Sequence, residues 1–102
     1  MKTAEYIKIS AQQAKEIMDK GDPFILIDAR TNDEYAKRHI EGAVLIPHGA
    51  IKARAGDELT DKDALIFVYC QSGGRSKFAA KELVGMGYTN VFDIGGLIDW
   101  PY

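Results

Sequence analysis

The sequence predicts an α/β fold built around a mainly parallel sheet. Apolar segments of strand length alternate along the chain with amphipathic segments of helix length, which is the pattern of βαβ units. The two most apolar segments, residues 24–27 and 64–69, show no alternation with polar residues. Such strands are buried on both faces, because helices cover both sides of a parallel sheet.

The first predicted strand, residues 6–9, leads into a helix. Ser10 is followed three residues later by Gln13, the spacing of a capping box, in which the two residues satisfy each other's free backbone amides. The helix is expected to run to about residue 20, because Gly21 then supplies the conformation that ends helices.

The next predicted elements are a buried strand, a short polar helix and another strand. The strand at residues 24–27 ends at Asp28, the helix covers residues 32–38, and the following strand covers residues 42–47. This last strand ends in a proline, which has no amide hydrogen for the sheet ladder. Residues 48–58 are ambiguous and are assigned to a loose helix.

The strongest strand signal, residues 64–69, turns through a glycine-containing loop into an amphipathic helix. The helix is expected to begin at Arg75 or Ser76 and to end at Gly87. A last strand, residues 90–94, leads through a glycine pair to an apolar terminal turn.

Length and composition bound the number of domains and the kinds of partner. The 102 residues are 46% hydrophobic and 27% charged, so we expect one domain, residues 1–102, and a monomer. The formal net charge of -2 argues against nucleic acid or an anionic membrane as a partner. The N-terminal residues lack the apolar segment of a secretory signal, which predicts a cytoplasmic protein. A periplasmic protein whose signal peptide had been removed would also lack this apolar segment.

Few residues are available for metal or disulfide chemistry. One cysteine cannot form an internal disulfide, and His39 and His48 do not complete a recognisable zinc motif. We therefore expect no metal site and no cofactor.

The segment that starts at Cys70 has the features of an anion-binding loop. Cys70 follows a buried strand and lies on the same predicted sheet edge as Asp28, where ligands bind in parallel sheets. Gly73 and Gly74 allow a tight curl in which successive amides converge on one point. The helix N-terminus adds partial positive charge, and the guanidinium of Arg75 can bind a dianionic group. These surroundings favour the nucleophilic thiolate.

A structural interpretation of the same residues must be weighed against this one. A lone cysteine beside an apolar strand is often only a small buried hydrophobe, and a glycine pair alone indicates a turn. The combination of cysteine, glycine pair, arginine and immediate helix favours a functional loop.

The residues of this loop follow a familiar order. Residues 70–76 read CQSGGRS and resemble the active loop of the single-domain rhodaneses, which are thiosulfate-type sulfurtransferases. Further matching segments are LIDAR at 26–30, EY at 34–35, HIEGA at 39–43, IP at 46–47, GY at 87–88, and GG at 95–96 with Trp100. One departure is Arg38, which stands where the family usually has glycine and can alter the mouth of the site.

The resemblance implies a three-layer α/β fold with a central five-stranded parallel sheet flanked by helices. It also implies a two-step reaction, in which Cys70 takes sulfur from thiosulfate as a persulfide and passes it to cyanide or a thiol. A protein persulfide is another candidate partner. Cys70 is the catalytic residue, and the candidate substrate-binding loop consists of Gln71, Ser72, Gly73, Gly74, Arg75 and Ser76.

Three other functions remain as alternatives. Cysteine phosphatases and arsenate reductases use a similar loop, but those phosphatases place five residues between cysteine and arginine, whereas four separate Cys70 from Arg75. A thiol–disulfide oxidoreductase needs a second cysteine, which the chain lacks. Rhodanese-like domains can also serve as non-catalytic binding or sensing modules, although the presence of both Cys70 and Arg75 argues against this.

Several charged residues outside the loop are candidates for supporting roles. Asp28 and Arg30 could orient the site, although an Asx-turn or a buried salt bridge is favoured. Arg30 and Glu34 have the spacing of a local ion pair. His39 and His48 could act as acids or bases, but a thiolate nucleophile needs neither, so structural roles are favoured.

Overall fold

The computed structural model describes residues 5–102, and residues 1–4, on which part of the export-signal prediction rests, lie outside the described residues. The strands are β1 (Ile7–Lys8), β2 (Ile25–Asp28), β3 (Val44–Leu45), β4 (Leu65–Cys70) and β5 (Asn90–Gly96). The helices are α1 (Ala11–Met18), α2 (Asn32–Lys37), α3 (Ile51–Glu58) and α4 (Gly74–Gly85), with 3₁₀ turns at His48–Ala50 and Leu97–Asp99. The strands form one sheet in the order β1-β5-β4-β2-β3, and every neighbouring pair is parallel.

The side chains of β4 show how the sheet separates two hydrophobic cores. Ile66 and Val68 lie on one face and pack with residues of α3 and α4. Phe67 and Tyr69 lie on the other face, in the cluster that contains Ala14 of α1. Successive side chains of a strand point to opposite faces, so a strand that is apolar throughout fits between two layers of helices. The predicted three-layer fold is confirmed.

The C-terminal end of β5 differs from the prediction. The strand was expected to end at residue 94, but it continues to Gly96. Val68 of β4 pairs with Asp93, whereas Cys70 pairs with Gly96, so β5 advances three residues where β4 advances two. This extra residue is a β-bulge, which bends the strand and redirects the side chains beside it.

Other boundaries also differ from the prediction. The edge strands β1 and β3 are two residues long instead of the predicted four and six, and each pairs with one neighbour only. The ambiguous stretch 48–58 is divided between a 3₁₀ turn and α3. Helix α4 begins at Gly74, earlier than predicted, because Gly73 already adopts a positive φ of 110° at the N-cap position.

The strand order places Cys70 in the middle of the sheet edge formed by the carboxyl ends of the strands. Strand β4 lies between β2 and β5, so their carboxyl ends, at Asp28 and Gly96, flank Cys70. This is the edge at which parallel α/β sheets bind ligands. None of the helices in residues 5–102 is long and apolar enough to cross a membrane.

Candidate active site

Cys70 ends β4 and begins the loop. The residue is only 1% exposed, and its Sγ accepts a hydrogen bond from the backbone amide of Gly73 at 2.9 Å. Gly73 has a positive φ of 110°, and helix α4 begins at the next residue. The sulfur therefore lies in a cradle of backbone amides at a helix N-terminus, which favours negative charge.

The cradle changes the acidity of the thiol. Burial of the sulfur raises the pKa of Cys70, because it removes water from the charged form. Hydrogen bonding from the Ser76 side chain and from the amides of Ser76, Gly73 and Ser72 acts in the opposite direction and prevails. The pKa of Cys70 is lower than that of an ordinary thiol, so the nucleophilic thiolate is favoured.

The loop rests directly on the backbone of Gly96. A Cβ atom added at Gly96 would lie 2.4 Å from the carbonyl oxygen of Gln71 and 2.7 Å from Cα of Ser72. The same carbonyl of Gln71 accepts a hydrogen bond from the amide of Ile98 at 3.3 Å. Only glycine allows this approach, so the bulged end of β5 determines where the loop lies.

Arg75 forms an ion pair with Glu34 of α2. Its Nη1 and Nη2 atoms lie 2.7 Å and 2.9 Å from the two carboxylate oxygens of Glu34. The Arg75 hydrogen bonds lower the pKa of Glu34 to about 2. The ion pair predicted between Arg30 and Glu34 is therefore wrong. Glu34 is held by the capping box at Thr31, and its carboxylate binds Arg75 instead.

The arrangement changes the expected role of Arg75. The sequence predicts that its guanidinium fork binds an anionic substrate, but both of its Nη atoms already bind Glu34. An anion that approaches Arg75 must share the guanidinium with this carboxylate or displace it. The backbone amides of the loop are not engaged in this way.

Asp28 and Arg30 form a buried ion pair behind the loop. Asp28 is fully buried and Arg30 is 3% exposed, and Nη2 of Arg30 lies 2.7 Å from Oδ2 of Asp28. Oδ1 of Asp28 also accepts the amide of Arg30 at 2.9 Å, which is an Asx-turn. Both structural roles favoured for these residues are therefore observed. The hydrogen bond to Asp28 is the main cause of a raised pKa for Arg30, so its charge is permanent.

Tyr69 is a member of this network that the sequence did not reveal. Its hydroxyl donates to Oδ2 of Asp28 at 2.8 Å and accepts the amide of Ile40 at 3.0 Å. Burial is the main cause of the raised pKa of Tyr69. Tyr69 immediately precedes Cys70, so the network connects the end of β4 with the segment after α2.

Gln71 is connected to the same network. Its Oε1 accepts a hydrogen bond from Nη1 of Arg30 at 3.3 Å, and Nη2 of Arg30 donates to the backbone carbonyl of Arg38. Gln71 is half-buried, whereas Ser72 is exposed. Of these two predicted loop residues, Ser72 is the more accessible, and the side chain of Gln71 is bound by Arg30.

Ser76 and Asp93 lie beneath the loop. Ser76 is fully buried and Asp93 is 2% exposed, and the Ser76 hydroxyl lies 2.7 Å from Oδ1 of Asp93. Ser76 was predicted as a loop residue, whereas Asp93 was not predicted. The sequence feature that could have identified Asp93 is its position as a single charged residue within the apolar strand β5, two residues before the glycine pair.

The two histidines take part in packing contacts. The ring of His39 stacks on Tyr35 with centroids 3.8 Å apart, and its Nδ1 lies 2.8 Å from the carbonyl oxygen of Tyr35. The ring of His48 meets that of Phe78 edge to face. Within residues 5–102, no three histidine, cysteine or acidic side chains are grouped so that they could hold a metal ion.

Comparisons with known proteins agree with this geometry. Residues 10–100 match the family model described as "Rhodanese-like domain". Thiosulfate sulfurtransferase PspE of Escherichia coli (strain K12) is 40% identical over 73 residues, which are 72% of this chain and 70% of that protein. Putative sulfur carrier protein YrkF of Bacillus subtilis (strain 168) is 36% identical over 94 residues, which are 91% of this chain but only 50% of that protein.

A solved structure extends the comparison to the fold. The structure described as "rhodanese with anions from E. coli" superposes on the chain with a TM-score of 0.72 and 38% identity. The match covers 76% of this chain and 91% of that one. The match of residues 10–100, the identity to PspE and the shared three-layer fold lead to one conclusion. The chain belongs to the rhodanese-like domain family.

Proposed function

We propose that the chain is a sulfurtransferase that carries sulfur as a persulfide on Cys70. The observation that carries the proposal is the position of Sγ, which accepts the Gly73 amide at 2.9 Å at the N-terminus of α4. A thiolate is needed to attack a sulfur donor, and the lowered pKa of Cys70 makes that form available. The same amides are suited to a persulfide anion after the reaction.

The first step is a displacement on the donor. The Cys70 thiolate attacks the outer sulfur of thiosulfate, a sulfur–sulfur bond forms, and the bond between the two sulfur atoms of thiosulfate breaks. Sulfite leaves with the electron pair of that bond as a dianion, so no proton is transferred. The persulfide that remains carries one negative charge, as the thiolate did.

The second step returns the cysteine to its starting state. Cyanide, or the thiolate of an acceptor, attacks the outer sulfur of the persulfide, and Cys70 leaves as a thiolate. The chain contains no second cysteine, so the acceptor must come from outside. Small thiols and protein thiols are both suitable acceptors by this chemistry, and a protein persulfide is a suitable donor.

The names of the relatives support the same chemistry. PspE is named a thiosulfate sulfurtransferase and YrkF a putative sulfur carrier, and both names describe proteins that hold or transfer sulfur. The related E. coli structure is described as containing anions. The chain spans only half of YrkF, so the carrier function is not transferred to it.

The size of the loop argues against phosphoryl chemistry. Four residues separate Cys70 from Arg75, and Gly96 packs against the loop backbone so closely that a Cβ atom would clash. A cradle of this size suits a single sulfur atom better than a phosphoryl group with its oxygens.

Intact-mass measurement tests the proposal. After incubation with thiosulfate and removal of the excess, the wild-type chain should gain about 32 Da, the mass of one sulfur atom carried covalently. The Cys70→Ser variant should gain nothing, and cyanide should remove the added mass with release of thiocyanate. If neither thiosulfate nor a polysulfide leaves an adduct on the folded wild-type chain, a non-catalytic binding module becomes the better interpretation.

A further inference from the structure

A cleft next to the active loop is not used by the proposed reaction. It is lined by residues of α1, of the segment that follows α2 and of the chain end that follows β5, and its volume is about 400 Å³. This volume is typical of small-molecule sites. Apolar side chains in the lining include Met18, Phe24, Ile40, Leu97 and Trp100.

Two walls of the cleft are hydrogen-bonded to the residues on either side of Cys70. In one wall, the amide of Ile40 donates to the hydroxyl of Tyr69 at 3.0 Å. Beside the other wall, the amide of Ile98 donates to the carbonyl oxygen of Gln71 at 3.3 Å. The cleft therefore lies against the loop that holds the reactive sulfur.

Two of the ionisable side chains in the lining have no partner of opposite charge. The ionisable groups that line the cleft are those of Lys15, Asp19, Arg38, His39 and Glu41. Lys15 and Asp19 form an ion pair at 2.7 Å, and Nδ1 of His39 lies 2.8 Å from a backbone carbonyl oxygen. Arg38 and Glu41 are exposed, and neither forms a salt bridge within residues 5–102.

The charges of Arg38 and Glu41 indicate which kind of molecule fits the cleft. The guanidinium of Arg38 suits a carboxylate, which it can bind at two points. The carboxylate of Glu41 suits an ammonium group. The two charges cancel, so the cleft favours neither a plain anion nor a plain cation. A small molecule with both a carboxylate and an ammonium group satisfies both residues.

We propose that the cleft binds amino-acid thiols, such as free cysteine, as sulfur acceptors, with Arg38 on the carboxylate and Glu41 on the ammonium group. The inference rests on the proposed function, because it names the acceptor of that reaction. Binding of the two charged groups holds the thiol beside the active loop, and such positioning accelerates its attack on the persulfide.

The transfer step is balanced without a further reactant. The acceptor thiolate attacks the outer sulfur of the Cys70 persulfide, and a new sulfur–sulfur bond forms. The bond between that sulfur and Sγ of Cys70 breaks, and its electron pair stays on Cys70 as a thiolate. The acceptor leaves as a persulfide anion, so the total charge is unchanged.

Transfer to three related thiols tests the two contacts separately. Free cysteine carries both charged groups, mercaptopropionate only the carboxylate and cysteamine only the ammonium group. The chain is treated with thiosulfate, freed of the excess and mixed with one thiol, and intact mass follows the loss of about 32 Da. Each thiol is compared with itself across the variants, so differences in its own reactivity cancel.

The two variants should have different effects on the three thiols. Arg38→Gln should slow transfer to cysteine and to mercaptopropionate about three- to fivefold, which is the size of one exposed charge contact, without slowing transfer to cysteamine. Glu41→Gln should slow transfer to cysteine and to cysteamine by a similar factor without slowing transfer to mercaptopropionate. Lys37→Gln and Glu16→Gln are the matched controls, since they remove the same charges from exposed positions outside the cleft. Both controls should transfer sulfur as the wild type does.

Three results of this measurement would overturn the inference. Equal loss for all three thiols in either variant would indicate a disturbed loop and not recognition of charge. Unchanged transfer to cysteine in both variants would show that the cleft does not bind the acceptor. Losses of the same size in the two controls would show an effect of the net charge of the chain.

Trp100 provides a readout that needs no sulfur transfer. It is the only tryptophan in the chain, and it lines the cleft. S-methylcysteine has the charged groups of cysteine but no free thiol. Its binding should change the fluorescence of Trp100 with a dissociation constant of about 1 mM, as expected for so small a ligand, and more weakly in Arg38→Gln and Glu41→Gln.

The absence of a saturable fluorescence change in the wild type would overturn the inference. If the chain forms no persulfide with any donor, the proposed function fails, and the Trp100 measurement alone decides whether the cleft binds amino acids.

Discussion

Arg75 of the active loop and Glu34 of α2 form a two-point ion pair, with N–O distances of 2.7 Å and 2.9 Å. The pair joins the N-terminal turns of α4 and α2, which are 41 residues apart in sequence. Each side chain is 31% exposed, so the pair is accessible from the solvent. In the proposed reaction, this carboxylate would compete with an anionic sulfur donor for the same guanidinium.

Removal of this competition should strengthen donor binding. In Glu34→Gln the capping box at Thr31 can persist, because glutamine serves at that position as glutamate does, while Arg75 loses its anionic partner. We expect the KM for thiosulfate to fall by about three- to tenfold, equivalent to about 1 kcal/mol for a partly exposed pair. The measurement is steady-state formation of thiocyanate at several thiosulfate concentrations.

Arg75→Ala is the matched variant for this prediction. If the arginine contributes to donor binding, its removal should raise the KM for thiosulfate by about tenfold with little change in the melting temperature. Glu34→Gln and Arg75→Ala should thus move the KM in opposite directions. If the KM for thiosulfate rose equally in both variants, the ion pair would act only as a link between the two helices.

The same ion pair should make the free energy of unfolding depend on pH under acidic conditions. The pKa of Glu34 is about 2 in the folded chain against an ordinary value of 4.5, so the folded state favours the ionised carboxylate. Its contribution is fully present above pH 4.5 and is lost as the pH falls towards 2. Because the pair is partly exposed, the contribution is at most about 1 kcal/mol. Urea unfolding of wild type and Glu34→Gln should differ at pH 6 and converge near pH 2, and a constant difference would contradict the prediction.

Gly96 should not tolerate a side chain. In Gly96→Ala the added methyl group would lie 2.4 Å from the carbonyl oxygen of Gln71 and 2.7 Å from Cα of Ser72. Both of these atoms belong to the loop backbone, so the loop must move. We expect sulfur transfer to fall at least about a hundredfold, because a displacement of about 1 Å in an active site has effects of that size. Gly85→Ala is the control, since its Cβ would meet nothing within 4 Å. Its activity should equal that of the wild type, and a fully active Gly96→Ala would disprove the close contact.

Tyr69 should affect both stability and activity. Tyr69→Phe leaves the amide of Ile40 without its acceptor and removes one hydrogen bond from Asp28, which should cost about 1–3 kcal/mol. Because Asp28 binds Arg30, and Arg30 binds Gln71, the turnover number should fall as well.

Tyr88→Phe offers a comparison on the opposite face of the sheet. Its hydroxyl donates to the carbonyl oxygens of Ala55 and Leu59 in and after α3, away from the loop. This variant should lose stability by a similar mechanism but keep the turnover number of the wild type. Denaturant unfolding and initial rates, measured on both variants, separate the two effects. Equal turnover in both would show that Tyr69 has no role beyond stability.

Most of the fold could be predicted from local sequence. The apolar strands, the capping box at Ser10 and the glycine stops depend on contacts between residues close together in the chain. The boundaries of β1, β3 and β5 were less accurate, because the length of a strand depends on its neighbour in the sheet. The end of β5 is the clearest example, since it pairs with Cys70 only through a bulge.

The sequence alone predicts the three-layer fold and the loop from Cys70 to Ser76, including the glycines that let its amides converge. The tertiary structure brings together charged partners that are distant in sequence. Glu34 has the spacing to pair with Arg30, but it binds Arg75 from the end of another strand, whereas Arg30 forms the buried salt bridge with Asp28 that the sequence favoured. Asp93 reaches Ser76 across 17 residues of sequence. Spacing along a helix predicts only contacts within that helix, whereas these partners meet because the parallel strands bring their carboxyl ends to one edge of the sheet.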